Sequence, residues 1–174
     1  MTKFETLESI KSRRSIRSFK PEQISDEELN TILEAGKYAA SAMGRQATKM
    51  LVIQDKETIE KLSKLNMKVM GTTKDPFYGA PTVVMVLADT DGDTYVEDGS
   101  LVLGNLMLAA YAVGVGSCWI HRAKEESLSE EGRAMLREFG IPDNYIGVGH
   151  CILGYPACEL PEPKERKADF IVKA

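Results

Sequence analysis

Between Leu101 and Val113 the chain places apolar side chains on every face of a would-be helix: Leu101, Val102, Leu103, Leu106, Met107, Leu108, Ala109, Ala110 and Val113. No polar stripe is left to meet water, so the segment must be covered all round, by the rest of the chain or by a partner subunit. At about 1.5 Å of rise per residue it is too short to span a bilayer, and no run of roughly 18 apolar residues occurs elsewhere. Gly114 and Gly116 mark its end. A helix of this kind constrains the rest of the chain to build layers around it.

The flanking segments have the patterns of such layers. Thr6–Lys11, with Leu7 and Ile10, reads as a short first helix. Ser25-Asp26-Glu27-Glu28 is a capping box, opening a second helix to about Ala40 with Leu29, Ile32, Leu33 and Gly36 on one face. Residues 49–54 and 82–88 read as buried strands, with Pro81 tolerated at the entry to the second. Between them, Ile59, Leu62 and Leu65 mark a helix over 56–65, followed by a turn-rich loop over 71–79. Val115–Ile120 and Tyr145–Leu153 read as strands, the latter with Gly147 and Gly149 alternating with Ile146, Val148 and His150. A helix over 128–139 between them turns Leu128, Met135, Leu136 and Phe139 inward. Alternating helices and strands imply a central sheet covered on both faces. At 174 residues, with no repeat or linker, one domain over 1–174 is expected.

Charge is distributed unevenly. Residues 1–20 hold six Lys/Arg against two Glu, and residues 164–174 hold four against two acids, so a total of −4 leaves −10 on the remainder. The first basic knot is Arg13-Arg14-Ser15-Ile16-Arg17-Ser18-Phe19; the second is Pro163-Lys164-Glu165-Arg166-Lys167. Either alone reads equally as solvated surface charge. The pair reads most simply as a clamp on a small dianion such as a phosphate monoester, because the planar guanidinium fork donates two hydrogen bonds at once. A nucleic-acid surface would want a basic domain with interleaved aromatics, and a pI near 5.3 argues against it.

Other chemistries find little support. Three cysteines, Cys118, Cys151 and Cys158, without a Cys-x-x-Cys spacing suggest neither a disulfide framework nor a zinc site. Cys118 and Cys151 sit in apolar stretches as small core residues. His121 and His150 lack a companion ligand pattern, so no metal is expected. No dinucleotide fingerprint or Walker loop is present. The N-terminus lacks a signal-peptide pattern, which makes a cytoplasmic protein the expectation.

Five motifs in register, over roughly residues 5–172, are together more specific than any one of them. They are Arg13-Arg14-Ser15-x-Arg17-x-Phe19, the Ser41-Ala42-Met43-Gly44-Arg45-Gln46 loop, Gly79-Ala80-Pro81 before a strand, Gly114 to Ile120, and Pro163-Lys164-x-Arg166. In this the chain resembles the FMN-dependent nitroreductase family of short, single-domain proteins. The resemblance implies an α+β fold, a three-layer α-β-α sandwich whose central mixed, mostly antiparallel sheet is flanked by helices, in an intertwined homodimer with two FMN sites at its interface. It implies that Arg13, Arg14, Ser15 and Arg17 line the phosphate and one flavin edge, and that Lys164 and Arg166 close over the same phosphate. Ser41, Ala42, Gly44 and Gln46 would reach the flavin from the partner subunit, and backbone groups of Ile120 and His121 would approach flavin N5. The 101–113 helix would be the dimer core. The chain departs from the family pattern at Gly44, where Asn is usual, at Gln46-Ala47-Thr48, where Gln-Pro-Trp is usual, and at His121, near which the family often has an acidic residue or glycine. Lys74 is a further candidate contact.

The implied activity is an NAD(P)H oxidoreductase in which hydride passes from a nicotinamide to flavin N5 and then to a flat conjugated acceptor, such as a nitroaromatic or a quinone, in ping-pong order. Arg17 is the candidate to stabilise reduced flavin, and His121 or water the candidate proton donor. The alternatives are a related flavin enzyme that dehalogenates or fragments flavin, and a non-redox flavin or small-anion binder. Trp119 reads as a packed strand aromatic, Asn105 as a structural hydrogen-bonding group, Phe77 and Tyr78 as a lid or as core cover, and Met67 and Met70 as core filler.

Overall fold

The structure, a computed structural model, describes residues 3–174. In chain order the elements are α1 (Lys3–Ser12), α2 (Asp26–Lys37), a 3-10 turn at Ala42–Gly44, β1 (Thr48–Ile53), α3 (Lys56–Met70), β2 (Thr82–Asp89), α4 (Tyr95–Ala112), β3 (Gly116–Ile120), α5 (Ala123–Leu128), α6 (Glu130–Glu138) and β4 (Tyr145–Gly154). The strands form one four-stranded sheet in the order β1-β2-β4-β3. Every neighbouring pair is antiparallel. Parallel pairing is confined to an isolated bridge between Ser15 and Ser117, beyond the β3 edge.

The sheet separates two apolar layers. On one face Val84, Val86, Ala88, Val148, Cys151 and Leu153 pack against α2 and α4, through Ile32, Val102, Leu103, Leu106 and Ala110. On the other, Val83, Cys118, Ile120 and Ile152 meet Leu62 of α3 and Phe77, while Met85 and Leu87 meet Ala123 and Leu136 of α5 and α6. The apolar helix is covered mainly by the chain's own sheet. Its remaining stripe, Leu101, Leu108 and Tyr111, stays partly or wholly exposed. Asn105 donates to the Ala35 carbonyl of α2 at 2.9 Å, so the one amide in this apolar stretch ties two helices together.

Several local expectations change. The predicted 128–139 helix is broken at Ser129, whose extended backbone and side chain, accepting from Gly132 N at 3.0 Å, cap a new helix. The break turns Leu128 outward, at 56% exposure, and Phe139 lies past the end of α6 at 45%, so neither is core. Met70 is exposed at the last residue of α3, which runs past the predicted Leu65 to a left-handed cap at Gly71 (φ 63°). In β4 the strict alternation fails: a register shift between Val86 and Leu87 leaves Val148 without a pairing partner on β2. This bulge puts Val148 on the α4 face while His150 and Ile152 look to the opposite layer. No helix among the described residues is long and apolar enough to cross a membrane.

Candidate functional site

The N-terminal basic segment meets the open edge of β3 near its start and then pairs with the residues that follow β4. Ile16 N donates to Ser117 O at 2.9 Å, Ala157 N to Ser18 O at 2.9 Å, and Lys20 N to Tyr155 O at 2.9 Å. Ile16 is buried beneath Gly116, where a Cβ would come within 3.1 Å of it. Alternation along this extended stretch then turns Ser15 and Arg17 away from the core. Arg17 is exposed, Ser15 half-buried.

The two leading arginines each bury one nitrogen without a hydrogen-bond partner among the described residues, Nη1 of Arg13 and Nε of Arg14, but differ in the rest of the fork. Arg14 Nη1 donates to the carbonyls of Lys11 at 2.7 Å and Arg13 at 2.8 Å, so it satisfies the C-terminal end of α1, where a cation is favoured. Arg13 Nη1 is buried and has no hydrogen-bond partner among the described residues. Its charge lies near enough to Cys151 to favour the thiolate, although burial dominates and pushes that thiol up. A buried guanidinium nitrogen with nothing to donate to is an anion site in its chemistry.

At the far end of β3 the strand stops at buried Ile120, and the His121 side chain is exposed. Arg122, next in the chain, is left-handed with φ 79°. For a residue with a Cβ that conformation costs of order 1–3 kcal/mol. The other non-glycine residues with positive φ are Met43, Gln46 and Tyr78. Thus strained backbone sits in the 41–46 loop, in the Phe77–Tyr78 loop and directly after His121, all segments singled out by their sequence.

The 41–46 loop is held from a distance. Asp98, buried in the first turn of α4, accepts from Ala42 N at 3.0 Å, and Ser41 Oγ accepts from Gln46 N at 3.1 Å. Gly44, at φ 65°, takes the left-handed turn without strain. Gln46 and Gly44 are exposed, Ser41 and Ala42 half-buried.

Within one chain these candidates fall into three groups. Arg13, Arg14, Ser15 and Arg17 lie about the start of β3, and Ile120 and His121 at its end. Ser41, Ala42, Gly44 and Gln46 lie at the start of β1, on the opposite edge of the sheet and three strand places away, roughly 14 Å. Lys164 and Arg166 are exposed on a tail that runs without strand or helix from Ala157. Lys74 is exposed in the loop after α3. A cavity of about 670 Å³, lined by Gln23, Gln54, Ile59, Ser63 and Met67 among others, contains none of these residues. Trp119 packs beside Gly149, where a Cβ would come within 2.6 Å of its indole nitrogen, and serves the core.

Sequence reasoning passed over two buried polar groups, Asn66 and Glu126, and read the third, His150, only as a strand residue without a companion metal ligand. It also passed over Asp98. The one signal available was a polar residue recurring on an otherwise apolar face, as at Asn66 between Leu62 and Met67 of α3. Among the described residues no group of three His, Cys, Asp or Glu is placed to hold a metal ion.

The fold and this edge define a class: an α+β sandwich with a basic segment strapped to an antiparallel sheet. The Nitroreductase family model matches residues 10–75 and 68–155. An Archaeoglobus fulgidus protein, provisionally named an NADH dehydrogenase/NAD(P)H nitroreductase, is 34% identical over 160 residues, covering 89% of this chain and 87% of that one. An FMN reductase [NAD(P)H] of Bacillus subtilis is 38% identical over 170 residues, covering 88% of this chain and 66% of its own length. The crystal structure of a Bacteroides fragilis nitroreductase with bound FMN superposes with a TM-score of 0.90 at 32% identity, covering 98% of both chains. The chain belongs to the nitroreductase family.

Proposed function

We propose that this chain is an FMN-dependent NAD(P)H oxidoreductase that serves a donor and then a flat conjugated acceptor, such as a nitroaromatic or a quinone, in ping-pong order. The observation that carries the reading is Arg13 Nη1, buried and without a partner beside the strapped edge of β3, in a chain so similar to an FMN-bound nitroreductase. Those residues fit the phosphate of FMN: an aligned, partly desolvated guanidinium is worth far more to a dianion than a solvated lysine. When bound, FMN supplies the two-electron transfer between nicotinamide and acceptor.

The chain's residues bind, orient and balance charge. Arg13 grips the phosphate, and Lys164 and Arg166 close on it from the exposed C-terminal tail. Ser15 and the Ile120–His121 backbone orient the ring. Arg17, exposed and cationic, favours the extra negative charge of the reduced state. His121, exposed at the strand end, donates a proton to the departing product or passes one from water.

A homodimer is part of the same proposal. The 41–46 loop cannot reach β3 of its own chain without crossing the sheet, so a second copy supplies it. The half-exposed stripe of α4, with Leu101 at 49% exposure, and the unpaired edge of β1 are the surfaces such a copy would cover.

The test is the visible spectrum of the purified protein, followed by anaerobic addition of NADH or NADPH. Oxidised-flavin bands that bleach support the reading. A yellow protein that does not bleach makes it a binder without this donor, and a colourless protein that takes up no added FMN overturns it.

A further inference from the structure

Buried polar side chains between the sheet, α3 and α5 are few, and three of them form one cluster. His150 of β4, Glu126 of α5 and Asn66 of α3 are each fully buried. His150 Nε2 lies 2.9 Å from Glu126 Oε2, a close approach that is not aligned as a hydrogen bond. The other carboxylate oxygen, Oε1, accepts from Asn66 Nδ2, and the same nitrogen donates to the His121 carbonyl at 2.9 Å. The orientation of the amide follows from its partners, since a carboxylate and a carbonyl both require the NH₂ end. The line therefore runs from the middle of β4, through two helices, to one backbone carbonyl at the end of β3.

Three features argue that this line is more than a way to fill space. An apolar trio would serve a purely structural layer as well, because a buried polar cluster gives up hydration that apolar side chains do not have to lose. Next, the line is built by a dedicated irregularity: the β4 bulge opposite Val86 and Leu87 sets the face to which His150 points. Finally, it ends on the residue before the left-handed Arg122, so it grips the turn where the backbone is strained. The helix that follows this turn, α5, is held against β4. Gly147 N donates to Ser127 Oγ at 2.9 Å, and a Cβ at Gly147 would run into the Ala123 carbonyl. Phe77 sets its ring edge to face on His150, with centroids 5.2 Å apart, and closes the layer.

We propose that Asn66, Glu126 and His150 are positioning residues: they hold the His121–Arg122 turn so that the end of β3 is presented to bound flavin in one fixed geometry. This rests on the FMN reading above. None of the three needs to touch the cofactor; Asn66 acts through the His121 carbonyl, and Glu126 and His150 act through Asn66.

The experiment compares wild type, Asn66→Leu and Glu126→Gln. Asn66→Leu keeps the heavy-atom count and the branched shape and cuts the link; Glu126→Gln keeps an acceptor oxygen for Asn66 and is the conservative control. Hydrogen exchange across residues 119–128 is measured in the FMN-free protein. The visible spectrum, FMN affinity and anaerobic reduction rate are measured after loading. For Asn66→Leu we expect exchange at Arg122–Lys124 about tenfold faster, a shifted flavin band, and reduction slower by roughly ten- to a hundredfold, as for a small misplacement of reacting groups. FMN affinity should stay within about twofold, since Arg13 is untouched, and Glu126→Gln should stay near wild type throughout. An Asn66→Leu protein that melts earlier but keeps the wild-type spectrum and reduction rate would make the trio structural and overturn the proposal. So would a Glu126→Gln protein as impaired as Asn66→Leu, because the loss would then follow the carboxyl group and not the acceptor oxygen held for Asn66. Failure of the wild type to take up FMN overturns the cofactor reading and this role with it, and is told apart because it shows before any substitution is made.

Discussion

A buried guanidinium nitrogen without a partner is unfavourable unless a ligand completes it, and Arg13 is in that position. Arg13→Ala should weaken FMN binding about ten- to a hundredfold, since a charge-assisted hydrogen bond contributes roughly 1.5–3 kcal/mol. Titration of the FMN-free protein measures this, and Arg13→Lys should recover only part of it, a point charge replacing a fork. Glu28 offers a second test at this scale. Its carboxyl is held below the ordinary 4.5, first by the Tyr155 hydroxyl at 2.7 Å, then by Ser25 Oγ at 2.7 Å and the Ser25 backbone. A depressed carboxylate contributes stability that is complete above its unfolded pKa and disappears as pH falls through the lower, folded one. Tyr155→Phe should therefore lower the melting temperature at neutral pH and have less effect in acid, where the carboxyl is protonated in both proteins. The Ser25–Glu28 capping box was legible because its members are three residues apart. Its third member was not, because Tyr155 lies 127 residues away.

Among the elements, β4 decides most. Its glycines read as alternating with apolar residues, and each in fact admits a neighbour: Gly149 the Trp119 ring and Gly147 the start of α5. Gly149→Ala should destabilise the protein by about 1–3 kcal/mol, as overpacking does, seen as a lower urea midpoint with little change in slope. The bulge itself left no mark in the sequence, because an extra residue in a strand of Gly, Val and Ile has the same composition as a regular one. The helix over 128–139 failed for a legible reason that was passed over: Ser129 followed by Glu130 and Glu131 is an N-cap signal inside the predicted helix. Asp98 carries the element-scale consequence for the 41–46 loop. Asp98→Ala should leave Ala42 N unpaired and speed hydrogen exchange through 42–46, while the sheet amides keep their protection.

For the whole molecule, alternating helices and strands suggested covered layers, and the layers are present. The antiparallel sheet came from the resemblance; alternation alone favours parallel crossovers. Only β2-α4-β3 crosses over, past β4; the loop over 71–81 returns the chain to the sheet end it left, so β2 runs against β1. With β1 and β3 on opposite edges, a single chain keeps the 41–46 loop apart from the basic segment. Leu101→Glu, placed on the exposed stripe of α4, should therefore give a folded monomer that has lost FMN, detected by sedimentation and by the absent flavin bands. A dimeric, yellow Leu101→Glu protein would count against α4 as the interface.

What the sequence determined by itself was local or periodic: the apolar helix that had to be covered, the Ser25 cap, the four strands, and two basic knots on an acidic chain. Those signals survive in one dimension because their members are neighbours or recur at a helical or strand spacing. What only the tertiary structure decided depends on residues brought together from far apart. The Arg13 nitrogen is buried without a partner, and Asn66 meets Glu126 across 60 residues of chain. His150 faces that pair because a bulge, and not its own neighbours in sequence, sets the direction of its side chain.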